Sequence, residues 1–349
     1  MKAHAVLRRE ATVAELVGKI LCHDVRDSAG KPIARKGELL DHALAERVVH
    51  VDWKELHLLE LEPGDLHEEE AGARLARAIV GDGVQVKGYT GGQWSLAASR
   101  RGLLHIMTGP LFQVNAAQGI SVFTLFDGQP VDAGEAVARA KVTPLAIASA
   151  TIDDIERVSR DAGGVIRVNP FTPLTVGALA QESLDDKQRQ RFEAALKEKV
   201  NWFGSRLLPI RYAGGSIESV AQELEALRVS GARLLIVAGA SALDPLDPIF
   251  AGVELVGARM ERHGAPAHPG SLLWVACWNE CFIVGMPTCG MFSQATTFDL
   301  VLPRILVGEA IGNAEIASLG HGGLLSREMA FRFPPYRPAK PRGELDSEE

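Results

Sequence analysis

Three stretches decide the fold: PLTVGALA (173–180), SRLLPIRYA (205–213) and ARLLIVAG (232–239). Each reads as a strand, and ARLLIVAG is apolar almost throughout, as a strand covered on both faces should be. Between them, Leu184 to Trp202 is rich in Lys, Glu and Ala and reads as a long helix. Ser216 to Ser230 reads as a second helix, which Ser216 caps by accepting from the N–H of Glu218 or Ser219. Strand then helix, repeated, predicts a parallel sheet with helices on both sides. A helix after Asp247, a hairpin at Asn279-Glu280 and a helix from about Ser293 to Leu306 complete the pattern.

Upstream of Pro173 the texture differs, with short strand-like runs broken by glycine and charge. VAELVGKILCHDV (13–25) leads into a turn at Ser28–Pro32, and DHALAERVV (41–49) has helical spacing. HLLELE then reads as a strand, Pro63-Gly64 as a turn and about Glu68 to Val80 as an amphipathic helix. His67 stands at that helix's N-terminus, with Glu68, Glu69 and Glu70 facing the positive end of its dipole. VQVKGY, WSLAAS, LLHIMTG, FQVNA, ISVFTLF and AVARAKVTPLAI follow as short strands, which predicts a small barrel or a twisted sheet. From Arg327 onward, proline and charge predict a tail over the surface or a disordered one. The expected organisation is a mixed, β-rich region over 1–170, an α/β domain over 171–325 and an extended tail over 326–349.

Composition narrows the function classes. The 349 residues carry 37 Lys+Arg against 44 Asp+Glu, a formal charge of −7, and 46% are hydrophobic. Disorder is excluded, and an electrostatically driven nucleic-acid role is opposed by the excess of acid. No apolar run approaches the roughly 20 residues a bilayer requires. The start MKAHAVLRRE places Lys2, Arg8, Arg9 and Glu10 where an export signal would need an apolar core. A soluble, cytoplasmic protein is expected. Cys22, Cys277, Cys281 and Cys289 form no CxxC pair, so reduced thiols are expected. Across the Asn279-Glu280 turn, Cys281 pairs with Trp278 and Cys277 with Phe282. The two sulfurs then point to opposite faces, which favours structural cysteines over a metal pair.

The chain has no GxGxxG, GxxxxGK[ST], HExxH or GxSxG. Dinucleotide, P-loop, zincin and α/β-hydrolase readings therefore lack sequence support. His263 and His268 bracket a Gly-Ala-Pro-Ala loop and read as surface residues more readily than as functional ones. Two loops after strands stand out, because ligands of open α/β sheets lie beyond the carboxyl ends of strands. The first, AGASALDPLDP (238–248), is small-residue-rich and sets Asp244 and Asp247 three apart, stiffened by prolines. The second, GMPTCGMFS (285–293), runs into a helix start where amides and the hydroxyls of Thr288 and Ser293 offer a phosphate cradle. A pterin presents a guanidine-like edge that a carboxylate accepts in bidentate fashion, while its phosphate would sit on the amides. The plainer reading makes both loops tight turns, with Asp244 or Asp247 capping a helix.

These loops, with HGAPAHPGSLLWVA (263–276) and GMPTCGMFSQATTFDLVLPRIL (285–306), resemble the molybdopterin-binding domain of molybdenum-cofactor biosynthesis proteins of the MoeA and MogA type. VGKILCHDV, KGELL, DLHEEEA and LGHGG resemble a longer bacterial group of molybdopterin-binding proteins. The resemblance, from about Thr172 to Gly323, implies a three-layer α/β/α, mostly parallel sheet. It implies that Gly239, Ser241, Asp244, Asp247, Pro287, Thr288 and Ser293 surround a pterin phosphate. It further implies Asp244, Asp247 and Glu182 as acids for metal insertion, with a divalent ion such as Mg or molybdate. The chain departs from the family at Ala180-Gln181-Glu182-Ser183-Leu184, where the family reads T-x-G-[DN]-E, and at Ala238-Gly239, where it has paired glycines. The leading expectation is a binding protein for molybdopterin, or its molybdenum-loaded or nucleotide-activated form, in cofactor maturation or delivery. A molybdotransferase-type enzyme and a pterin-free docking module for a molybdoenzyme apo-subunit are the alternatives. Self-association is implied by resemblance only.

Overall fold

A computed structural model describes residues 1–181, 185–239, 242–287, 290–291 and 295–336. The chain forms two compact units: Met1–Arg100, His105–Leu125 and Ala133–Val168 make the first, and Arg101–Leu104, Phe126–Asp132 and Asn169–Glu349 the second. The units are thus not contiguous in sequence.

The first unit begins with β1 (Lys2–Leu7), α1 (Val13–Leu16), β2 (Ile20–Leu21), β3 (Val25–Arg26), β4 (Pro32–Ala34), α2 (His42–Val49) and β5 (Glu55–Glu60). β5 lies between β1 and β2, antiparallel to both. Leu16, Leu21, Val48, Leu56 and Leu58 close a core beneath them. In the β3–β4 turn, Asp27 Oδ1 accepts from the N–H groups of Ala29 and Lys31, which is why an aspartate suits that position. β6 (Asp65–His67) then runs into α3 (Glu68–Ile79). His67 caps that helix, its Nδ1 accepting from the Glu69 N–H and its Nε2 donating to the Gly37 carbonyl.

β7 (Val84–Thr90), β8 (Gln93–Ala98), β9 (Gly102–Ile106), α4 (Thr108–Ala116), β10 (Ile120–Thr124), β11 (Pro130–Val131), β12 (Ala136–Val142), β13 (Ala146–Ala148), α5 (Ser149–Asp161) and β14 (Ile166–Pro170) follow. β10, β12, β8 and β7 form, in that order, an open antiparallel sheet rather than a barrel. FQVNA, expected as a strand, lies in α4. Pro110 sits in that helix's first turn, where a missing N–H costs no hydrogen bond. The Asn115 carboxamide then pairs with both the N–H and the carbonyl of Val122, an arrangement that ties α4 to β10. α5 is a second helix in a stretch that reads as strands; it buries Ile152, Ile155 and Ser159 at helical spacing.

In the second unit, Gly102 and Leu103 pair with Val131 and Pro130. The main sheet comprises β15 (Thr175–Ala180), β16 (Arg206–Leu207), β17 (Arg211–Tyr212), β18 (Leu234–Ala238), β19 (Arg259–His263), β20 (Trp274–Trp278) and β21 (Cys281–Met286). β15 is parallel to β16, β17 and β18, and β18 to β21; β20 and β19 close the edge antiparallel. SRLLPIRYA thus supplies two short strands, interrupted where Pro209 has no N–H to give to the ladder.

The side-chain period of two splits this sheet between two cores. Val176, Ala178, Leu234, Ile236 and Val284 pack with Phe192, Leu196 and Val200 of α6 (Asp186–Trp202). Phe298, Val301 and Ile305 of α9 (Thr297–Leu306) join the same cluster. Leu179, Leu235, Val237 and Ile283 pack instead with Val220, Leu224 and Leu227 of α7 (Ile217–Val229) and with Ile249 and Val253 of α8 (Pro248–Leu255). Ser216 caps α7 by accepting from the Ser219 N–H. The Asn279 hairpin has the anticipated register, Trp278 opposite Cys281 and Cys277 opposite Phe282. Cys281 joins the second core, where burial pushes its thiol up to about 11, while Cys277 is half-buried outside it.

After α10 (Asn313–Ser318), residues Arg327–Arg332 form a 3-10 helix. Phe333 and Tyr336 are buried in the first of the two cores, so 326–336 is no extended tail. Two aromatic side chains outweigh the surrounding prolines and charges. Residues 337–349, also expected as tail, lie outside the described residues.

Candidate functional site

β15, β18 and β21 end in register: Ala180 lies opposite Ala238, and Ala238 opposite Met286. Gln181, Gly239 and Pro287 therefore leave the sheet side by side, within about 10 Å given the spacing of neighbouring strands. The small alanines at 180 and 238 keep this carboxyl rim low. Gly239 has φ +91, a left-handed backbone that only glycine adopts without strain, and it presents no Cβ to the rim. Gln181 donates its N–H to the Ala238 carbonyl. Its side-chain Oε1 is buried and has no hydrogen-bond partner, a costly state for an acceptor.

The loop from Ala242 is held from three sides. His263 Nε2 lies 2.7 Å from the Ala242 carbonyl; a carbonyl only accepts, so Nε2 carries the proton. The His263 ring packs on Phe250, which in turn meets Trp274 edge-on. Asp244 Oδ1 accepts from the Leu246 N–H at 2.9 Å, an Asx turn. Asp247, only 8% exposed, caps α8: its Oδ1 accepts from the Ile249 N–H at 2.9 Å, with Pro248 at the first helical position. Both aspartates thus have the local structural work that the plainer reading assigned them. Asp244 is exposed, and Leu243 and Leu246 on either side of Asp-Pro stand 78% and 86% in solvent.

Beyond β21, Pro287 is buried and its carbonyl accepts from the Gly290 N–H at 2.7 Å, a tight turn. The helix expected from about Ser293 begins at Thr297. The Thr296 N–H goes to Asp299 Oδ2 and the Thr297 N–H to the Pro269 carbonyl, so these two amides hold the protein itself rather than an anion. Of the anticipated site residues, Gly239, Asp244, Asp247 and Pro287 belong to loops leaving this one rim. Glu182, Ser241, Thr288 and Ser293 lie outside the described residues. Among the described residues no group of three or more His, Cys, Asp or Glu is placed to hold a metal ion.

A second polar centre was not anticipated. Lys199 of α6 donates to Asp299 Oδ1 of α9, Tyr336 donates to the same oxygen at 2.8 Å, and Asp299 Oδ2 accepts from the amide and hydroxyl of Thr296, each at 2.9 Å. Lys199 is 2% exposed and Asp299 fully buried. Burial, and the Asp299 charge after it, raise the Tyr336 hydroxyl well above its usual range. The sequence signal was an aspartate inside the apolar run TFDLVLP. Gln181 was also missed as a candidate, since a single glutamine carries no motif.

No family model and no curated protein matches the chain. Among solved structures, a molybdopterin biosynthesis MoeA protein from Pyrococcus horikosii is 13% identical, covering 88% of this chain and 75% of its own, with a TM-score of 0.30. A CinA protein of unknown function from Thermoplasma acidophilum is 6% identical over 33% of this chain and 89% of its own, with a TM-score of 0.28. A putative molybdenum cofactor biosynthesis protein from Corynebacterium diphtheriae is 13% identical over 38% and 94%, with a TM-score of 0.28. Likeness at this level assigns neither fold nor activity to the chain. No helix among the described residues is long and apolar enough to cross a membrane.

Proposed function

We propose that the second unit is a three-layer α/β/α domain of the molybdopterin-binding type, and that its carboxyl rim binds molybdopterin or its metal-loaded or nucleotide-activated form for delivery to a molybdoenzyme. The observation that carries the reading is the buried, unpartnered Gln181 Oε1 beside Gly239 on the in-register ends of β15 and β18. An orphaned acceptor next to a backbone without a Cβ fits a flat heterocycle that offers N–H donors. The exposed Asp244 carboxylate supplies a second acceptor on the loop that follows Gly239. A neutral carboxamide at 181 orients a ligand by hydrogen bonding but attracts a divalent ion less than a carboxylate does, which favours a carrier over a transferase. Self-association and docking to an apo-subunit belong to the same reading.

The test is fluorescence of oxidised pterin released from the denatured, freshly purified full chain, followed by equilibrium binding to Gln181→Leu and Asp247→Ser. Asp247→Ser removes the carboxylate yet keeps a capping hydroxyl, so binding is read without unravelling α8. Each variant is expected to weaken binding about tenfold or more, the worth of a hydrogen bond between a polar ligand and a buried partner. Absence of pterin from the preparation together with no binding of added pterin would sink the reading, as would wild-type affinity in both variants.

A further inference from the structure

A cavity of about 400 Å3 opens in the first unit between the carboxyl halves of α3 and α5, lined by Arg74, Arg77, Glu156, Ser159, Arg160 and the Gly163-Gly164 backbone among others. Its four charged side chains divide their work. Arg74 is already engaged: Nε and Nη2 grip Glu156 at 2.8 and 2.9 Å, and Nη2 also meets Asp153 at 2.7 Å. That fork holds α3 on α5 and neutralises Glu156. Arg77 and Arg160 make no hydrogen bond or ion pair within 4 Å among the described residues, and both are exposed. Ser159, by contrast, is 1% exposed, and its hydroxyl has no hydrogen-bond partner although it lines the cavity.

Two helix carboxyl ends converge here, and each carries about half a negative charge. On α5 that charge is already met, because the Arg167 guanidinium donates to the carbonyls of Ala162 and Gly163. The amides of Gly163 and Gly164 cap Arg160 and Ser159 in turn. Gly164 is required as glycine: a Cβ there would stand 2.4 Å from the Gly81 Cα. With Arg74 spent on Glu156 and Asp153, Arg77 and Arg160 leave the cavity in surplus of positive charge, inside a protein whose net charge is −7.

We propose that this cavity binds a small oxyanion of the phosphate monoester class, with Arg77 and Arg160 as charged donors and the Ser159 hydroxyl as the third. Two guanidiniums and a hydroxyl match a doubly charged, three-oxygen group better than a carboxylate, which has two oxygens and one charge. The volume lies at the low end of small-molecule sites, about 300–1,000 Å3, so the phosphate would be carried by a compact organic body. The assignment concerns the first unit and does not rest on the pterin reading of the second.

The experiment is calorimetric titration of the full-length chain with inorganic phosphate, run beside sodium chloride and sodium acetate at matched ionic strength. Saturable binding of phosphate alone is expected. The double variant Arg77→Gln/Arg160→Gln should weaken it about tenfold or more, as loss of charge-assisted hydrogen bonds predicts. Ser159→Ala should weaken it several-fold, and Gln181→Leu should leave it unchanged. Arg77 and Arg160 are exposed and Arg74 is retained, so superimposable far-UV circular dichroism is expected for the double variant. No saturable heat with phosphate, equal binding of acetate, or wild-type affinity in either cavity variant overturns the assignment.

Discussion

At the scale of single residues, the buried Lys199–Asp299 pair governs the second unit's polar interior. Removing one partner of such a pair leaves an uncompensated charge in the core, at a cost of about 3–5 kcal/mol. Asp299→Ala is expected to destabilise the chain by that amount in urea denaturation, since it strands Lys199 and also takes away the acceptor of Thr296 and Tyr336. Lys199→Met should cost less, because Asp299 keeps its Thr296 and Tyr336 donors. Tyr336 adds a pH dependence. Its hydroxyl is raised when folded, so its stabilisation is fully present below pH 10 and is lost as pH rises through the folded value. The stability gap between wild type and Tyr336→Phe should therefore be constant from pH 7 to 9 and shrink above 10. A gap that widens above pH 10 would contradict the geometry. Asp299 was visible in the sequence as a charge among apolar residues. Its partners were not, because they come from 100 residues before and 37 after it.

At the scale of elements, β20 and β21 fit through an absence. Gly285 lies directly across from Trp274, and a Cβ on Gly285 would fall 2.0 Å from the indole. Gly285→Ala must displace a fully buried tryptophan, and overpacking of this kind costs about 1–3 kcal/mol. Loss of near-UV circular dichroism together with a lower melting temperature would verify this, whereas an unchanged melting temperature would show that the sheet yields freely. Elements with a strong local signature were legible: β18, the Asn279 hairpin, and α7 with its Ser216 cap. α4 was read as a strand because Leu111, Phe112 and Val114 form a short apolar run without helical spacing. α5 had a usable signal in Ile152, Ile155 and Ser159, three and then four residues apart. The rim was legible as loops after strands. That Asp247 is a cap, and Gln181 an orphaned acceptor, emerged only from hydrogen-bond geometry.

At the scale of the whole molecule, the second unit recruits residues from far upstream. Arg101 stacks on Trp202 at 4.8 Å and pairs with Asp132, while Arg304 bridges Asp127 and Glu309. A fragment beginning at residue 169 lacks Arg101, Asp127 and Asp132. It should be less stable than the same unit in the intact chain by about 1–3 kcal/mol, the worth of one cation–π contact and partly screened ion pairs. Equal melting temperatures for the fragment and the corresponding transition of the full chain would show that these stretches contribute nothing. By itself the sequence determined the alternation of strand and helix after Pro173, the caps and the hairpin register, because period, capping chemistry and turn residues act within a few positions of the chain. Tertiary structure alone decided which distant side chains share a core, where Lys199 meets Asp299, how 101–104 and 126–132 join a unit formed mostly after 169, and which arginines are left without a carboxylate. Those outcomes depend on packing and on the cost of burying charge, which sum over contacts between residues that the linear order keeps apart.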